Sequence, residues 1–277
     1  MLVDLANTPA QIQAIVDAIT PYTPALLLDQ FGNYVVQCCL RFDNNRNQFI
    51  FDAIAAKIIE IGTGRFGARS TRTCLESQFT TKRQQKIVAT AIVQHGAQLS
   101  VDSNGSLLIT WLLDTSTLPG KVGALVPAYS EHIVTFCTHK LASGFILKIL
   151  NQRTELEARE SLLKDIFFNQ NPTVLAQILS DAVNGVTLIR KILSSACTST
   201  EEQVRLAEQA RQAVNSAPDL KTSAGCKRLM EEVSTLSQSS PKSVEHRDDE
   251  IVSPMTPRAM GFHPSPATPP LQSPQGH

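Results

Sequence analysis

The chain has no excess of either charge: 25 Lys and Arg stand against 25 Asp and Glu in 277 residues. The basic balance that usually marks phosphate contact is therefore missing from the composition. Cysteine is sparse and scattered. Cys38, Cys39, Cys74, Cys137, Cys197 and Cys226 form no CxxC pair and no Cys/His cluster at metal-ligand spacing, and read as reduced thiols. Long apolar runs are absent, since stretches such as Ala25 to Leu28 or Phe145 to Leu150 fall far short of a bilayer span, and no membrane segment is expected. There is no Gly-rich phosphate loop, no HExxH, no GxSxG and no carboxylate pair at a spacing suited to acid–base work. His95, His132 and His139 have no partner pattern for a metal or a triad. An enzyme, a metal and a cofactor are all outside the expectation.

Helical periodicity is abundant, with no competing strand pattern. Ile12, Ile15, Val16 and Ile19 fall three and four apart, as do Phe51, Ile54, Ile58 and Ile61, then Ile87, Val88, Ala91 and Ile92. Pro21, Pro24, Pro119, Pro127, Pro172 and Pro218 are placed between such stretches, where they end helices. From about Ser237 the composition shifts to Ser, Pro and charge, so residues 237–277 are expected to be a disordered tail and 1–236 the folded domain. The tail carries Ser-Pro or Thr-Pro steps at Ser240, Ser253, Thr256, Ser265, Thr268 and Ser273, each a candidate for proline-directed phosphorylation.

The sequence also repeats internally. One block recurs as DQFGNYVVQCCL from Asp29, GRFGARSTRTCL from Gly64, DSNGSLLITWLL from Asp102, HKLASGFILKIL from His139 and AVNGVTLIRKIL from Ala182. A small residue anchors each, at Gly32, Gly67, Gly105, Ala142 and Gly185, giving steps of 35, 38, 37 and 43 residues. Repeats of this length with a longer amphipathic helix between blocks predict an all-α solenoid of about five repeats, in which each repeat buries its apolar face by stacking on the next.

The first block carries chemistry. A helix starting near Gly32 puts Asn33 and Gln37 four apart on one face with Tyr34 beside them. Amides can pair with the edge of an unstacked base, and a Tyr ring can stack on its neighbours, which adds about 1–3 kcal/mol per base with little dependence on charge. FGNYVVQ, followed by RFGARSTRTCLE and HKLASGFILKIL, resembles consecutive repeats of the Pumilio (PUF) family over roughly residues 8–233, with a hint of a diverged fungal branch. GCKRLMEEV from Gly225 is similar to the family's closing helix. The resemblance implies a right-handed, armadillo-like arc of three-helix repeats that binds single-stranded RNA one base per repeat. It also implies a role in translation or decay of mRNA through 3′-untranslated regions, in the cytoplasm. A full array has eight repeats, so an N-terminally truncated array is expected, with the Ala10 to Thr20 helix as a possible cap.

Carried over by position, the resemblance makes Asn33 and Gln37 edge readers and Tyr34 the stacker, a combination that in the family reads uracil. The same places hold Ala68, Arg69 and Arg72 in the second block and Ser106, Leu107 and Thr110 in the third. They hold Ser143, Gly144 and Leu147 in the fourth, and Val186, Thr187 and Arg190 in the fifth. The RNA-contacting set is thus expected to be Asn33, Tyr34, Gln37, Ala68, Arg69, Arg72, Ser106 and Ser143, in a monomer bound to uracil-containing RNA, with specificity concentrated early. Protein effectors would meet the convex face or the tail. Trp111, among apolar neighbours, reads as core. The rival reading is a protein-interaction solenoid of the HEAT or armadillo kind with little RNA binding.

Overall fold

The computed structural model describes residues 2–6, 8–42 and 46–238, with the backbone alone for Leu2, Asp4 and 236–238. All of the regular elements described are helices. After a short α1 (Leu2–Leu5), they fall into six repeats of three. The first comprises α2 (Pro9–Ile19), α3 (Thr23–Leu28) and α4 (Gly32–Cys39); the second α5 (Gln48–Ala56), α6 (Ile58–Thr63) and α7 (Arg65–Glu76). The third comprises α8 (Lys82–Gln94), α9 (Gly96–Val101) and α10 (Ser106–Thr110), which runs into a π-helical turn, Trp111–Thr115. Then come α11 (Lys121–Glu131), α12 (Ile133–Thr138) and α13 (Ala142–Asn151); α14 (Leu156–Phe167), α15 (Thr173–Ser180) and α16 (Gly185–Leu193); and α17 (Thr200–Ser216), α18 (Pro218–Thr222) and α19 (Ala224–Gln238).

First helices stack on first helices, as α5, α8, α11, α14 and α17 in succession, and third helices on third helices, as α4 on α7 on α10 and α13 on α16 on α19. This is the solenoid that the repeat length predicts, with a sixth repeat built around the closing segment at Gly225. One apolar cluster runs through the stack, from Leu27 and Val36 through Ile61, Leu99, Leu125 and Ile149 to Ile189 and Leu229. Each helix pair shares its buried face with the next repeat, so no repeat has a core of its own. Trp111 is core, at 1% exposure. Burial pushes the Cys39 and Cys74 thiols up to about 12 and raises Cys137 as well, so these cysteines stay protonated and inert.

Local signals explain the helix starts. Thr8 with Gln11, and Thr81 with Gln84, form capping boxes, and the Ser199 hydroxyl accepts from Glu202 N. Pro24 and Pro218 lie in first turns, where a missing N–H costs nothing. Pro127 departs from the expectation that it ends a helix: it lies inside α11. Its ring is exposed, while Leu125, Val126 and Tyr129 around it are buried, and that packing carries the helix through the lost hydrogen bond. The last helix runs to Gln238, just past the boundary expected at residue 236. The remaining tail, with its Ser-Pro and Thr-Pro steps, lies outside the described residues.

Candidate nucleic-acid interface

The face to consider is the layer of third helices, because every recurrent block lies on one. In four of the five blocks a side chain three or four residues before the anchor accepts from the backbone of the turn that starts the helix. Asp29 Oδ1 accepts from Phe31 N and Gly32 N, at 2.9 and 2.6 Å, and these backbone bonds hold its carboxyl below the ordinary value. Asp102 does the same for Asn104 N and Gly105 N, and Asp181 for Asn184 N and Gly185 N. In the fourth block His139 takes over, its Nδ1 accepting from Leu141 N and Ala142 N. In the second block the place is held by Gly64, where a Cβ would fall 2.4 Å from Leu28 Cδ2. Asn104 and Asn184 add a tie to the preceding repeat, donating to Thr63 O and Thr138 O.

With the helices set in this way, the three positions after each anchor have distinct environments. Asn33 is 6% exposed; its Nδ2 donates to Asp29 O at 2.8 Å and Gln30 O at 3.0 Å. Its Oδ1 accepts from Gln37 Nε2 at 2.9 Å. Asn33 is thus bonded to its own turn and to the half-buried Gln37, whose amide oxygen has no hydrogen-bond partner among the described residues. Tyr34 is 62% exposed, and Phe31, three residues before it, is 72% exposed. The sequence pattern put Asn33 and Gln37 on equal terms; in the structure Asn33 is buried and Gln37 half-buried.

The second repeat repeats this geometry with different chemistry. Ala68 is wholly buried, so its methyl sets the space beneath Arg69 and Arg72 and cannot itself meet a ligand. Arg69 is exposed, and Arg72 Nε donates to Glu76 Oε1 at 2.8 Å within the helix. Arg65 lies over the Phe66 ring at 5.7 Å. In the third repeat the Ser106 and Thr110 hydroxyls turn back to the carbonyls of Ser103 and Ser106. Ser143 and Leu147 of the fourth repeat are half-buried, and Gly144 faces open space. Val186 of the fifth is buried, Thr187 is exposed, and Arg190 is forked onto Glu232 of α19, Nε lying 3.0 Å from each carboxylate oxygen. Phe31, Asp114, Lys148 and Glu232 are additional residues of this face whose place no short sequence pattern signals. Among the described residues no group of His, Cys, Asp and Glu could hold a metal, and no helix is long and apolar enough to cross a membrane.

The model of the Pumilio-family RNA binding repeat matches residues 25–55 and 132–167, which span the first and fourth blocks. A Pumilio domain-containing protein of Schizosaccharomyces pombe is 44% identical over 193 residues, covering 70% of this chain and 29% of the relative. The PUM-HD domain of S. pombe Puf1, solved in complex with RNA, superposes with a TM-score of 0.71 at 40% identity, over 83% of this chain and 61% of that domain. This chain belongs to the Pumilio family. Among its relatives in Saccharomyces cerevisiae are Protein JSN1, 38% identical over 86% of this chain and 22% of that protein, and the mRNA-binding protein PUF2, 36% identical over 89% and 24%. The chain thus spans less than a third of each of these curated relatives. Yeast Puf5p bound to SMX2 RNA, at 20% identity and a TM-score of 0.67, has the same fold.

Proposed function

We propose that the third-helix face binds single-stranded RNA sequence-selectively, reading a uracil at the first repeat, and that the chain acts in post-transcriptional control of mRNA. The observation that carries this reading is the first block: Gln37 held by Asn33 at 2.9 Å, one turn from an exposed Tyr34. An amide fixed by a buried neighbour loses little freedom on meeting a base edge, and the ring beside it offers a stacking surface. Arg69 continues the path as a planar cation able to stack or meet phosphate. Support also comes from two relatives, Puf1 solved with RNA at 40% identity and PUF2 named as mRNA-binding at 36%. Ser106 and Ser143 contribute at most a weak contact in this reading. The chain works as a monomer in the cytoplasm, and effectors approach the layer of first helices or the segment after residue 238.

Selection from a randomised single-stranded RNA pool, followed by titration of the enriched sequence, tests this. The expected motif is short and contains uracil. Gln37→Ala is expected to weaken binding about tenfold, within the ~1–3 kcal/mol of a well-read base edge, with the helical circular dichroism unchanged. Equal enrichment by wild type and variant would instead favour a protein-interaction solenoid.

A further inference from the structure

Two ion pairs cross this face from one third helix to the next, and both lie downstream of the third repeat's reading positions. Lys148 Nζ meets Asp114, in the π-helical turn of the preceding repeat. Arg190 meets Glu232 of the following repeat. Arg190 occupies in its repeat the place that Gln37 occupies in the first, five residues after the anchoring glycine. Lys148 follows Leu147, the residue at that place in the fourth repeat, and the Asp114–Lys148 pair edges a cleft of about 460 Å³ lined also by Gly144, Leu147 and Gln152. With no side chain at Gly144, that cleft is open to a base, yet a carboxylate stands on its rim.

Magnitudes decide what such pairs do. All four side chains are 39–46% exposed, and pairs so wetted contribute next to nothing to folding. Their effect on a polyanion is larger. Each removes a cation from the set that could displace counterions from phosphate, and each leaves a carboxylate facing the path. Upstream, Arg69 is exposed and, among the described residues, has no carboxylate joined to it from a neighbouring helix, while Arg72 is paired with Glu76 within one helix. One cation on each of α13 and α16 is thus neutralised by a carboxylate of a neighbouring repeat, a link that Arg69 upstream does not have among the described residues.

We infer that Asp114 and Glu232 are specificity-determining residues that act against binding: by clasping Lys148 and Arg190 they end the RNA path after the third repeat. This rests on the RNA-binding reading and refines it, since it assigns the footprint's downstream limit to two carboxylates.

The test uses the full chain with two fluorescent RNAs: the shortest oligonucleotide that the wild type selects, and the same sequence extended at both ends to cross all six repeats. Asp114→Asn with Glu232→Gln is expected to bind the extended RNA several-fold more tightly. Its log–log salt slope should steepen by about 1.4, twice the ~0.7 per phosphate contact of a single strand, while the short RNA is bound as before. Glu232→Gln should gain clearly less in an Arg190→Ala background than in the wild type, and that difference separates release of the cation from mere loss of charge. Unchanged affinity for the extended RNA, or an equal gain on both RNAs, in a variant with unchanged thermal melting would overturn the inference while leaving the RNA reading intact. A wild-type chain that selects no RNA removes both.

Discussion

Gly67→Ala is expected to lower the stability of the chain by about 3 kcal/mol, the upper end of what an added methylene costs in a packed interior. A Cβ at this position would sit 2.1 Å from Ile61 O and 2.9 Å from Ile61 C. Those are backbone atoms at the end of α6, and they cannot rotate away as a side-chain tip could. The better helix propensity of Ala returns only about 1 kcal/mol. The anchor lets the third helix of a repeat close on the last carbonyls of its second helix, and Gly185 has the same arrangement with Ile178 O at 2.0 Å. Ala142 holds the equivalent place in the fourth repeat and is wholly buried, so that repeat has already made room for a methyl. Ala142→Gly should therefore cost about 2 kcal/mol, roughly 1 from helix propensity and about 0.8 from the lost buried methyl. Urea unfolding of both variants checks this; a Gly67→Ala chain as stable as wild type would mean that α6 and α7 slide apart freely.

Arg159→Ala is expected to cost a similar amount, about 3 kcal/mol, the low end for breaking a buried ion pair by removing one partner. Its guanidinium joins the fifth repeat to the sixth. Nη2 meets Glu202 Oε2 at 2.7 Å and Cys197 O at 3.4 Å, Nη1 meets Glu202 Oε1 at 3.2 Å, and Nε donates to Leu150 O at 3.1 Å. The Arg side chain is 10% exposed and the Glu 28%, so water partly relieves the carboxylate left behind, and the low end of the range applies. Glu202→Gln keeps an acceptor for the guanidinium and should lose less. Thermal melting of the two variants distinguishes the cases: if both fall equally, the charge of Glu202 matters more than the four bonds of Arg159.

The architecture was legible because it is written in spacing. Anchors recurring at 35 to 43 residues and apolar residues three and four apart require nothing but the helix period to interpret. The sixth repeat was harder to see because Gly225 lacks the Asp or His three or four residues before it that announces the first, third, fourth and fifth. At the site, periodicity placed Asn33, Tyr34 and Gln37 on adjoining faces but could not say how deep each sits. Asn33 is drawn inward by two carbonyls of its own turn, and that depends on the Asp29 cap bending the chain there. Pro127 was misplaced because a helix-breaking residue was weighed without the core packed on either side of it. The clasps Asp114–Lys148 and Arg190–Glu232 join residues 34 and 42 apart, and only the stacking of one repeat on the next brings them together.

The anchors, caps and inter-repeat ties occupy different residues from those presented to solvent, and this division has a consequence for how such a chain can change over time. Substitutions at the outward positions, where Tyr34, Arg69, Leu107, Gly144 and Thr187 stand in successive repeats, leave the joints of the array untouched. The position just before is not so free, because Asn33, Ala68 and Val186 are buried there. A duplicated repeat can thus lose or exchange its outward residue in a single mutational step without passing through an unfolded ancestor. The array serves as a durable frame on which the outward residues drift one repeat at a time.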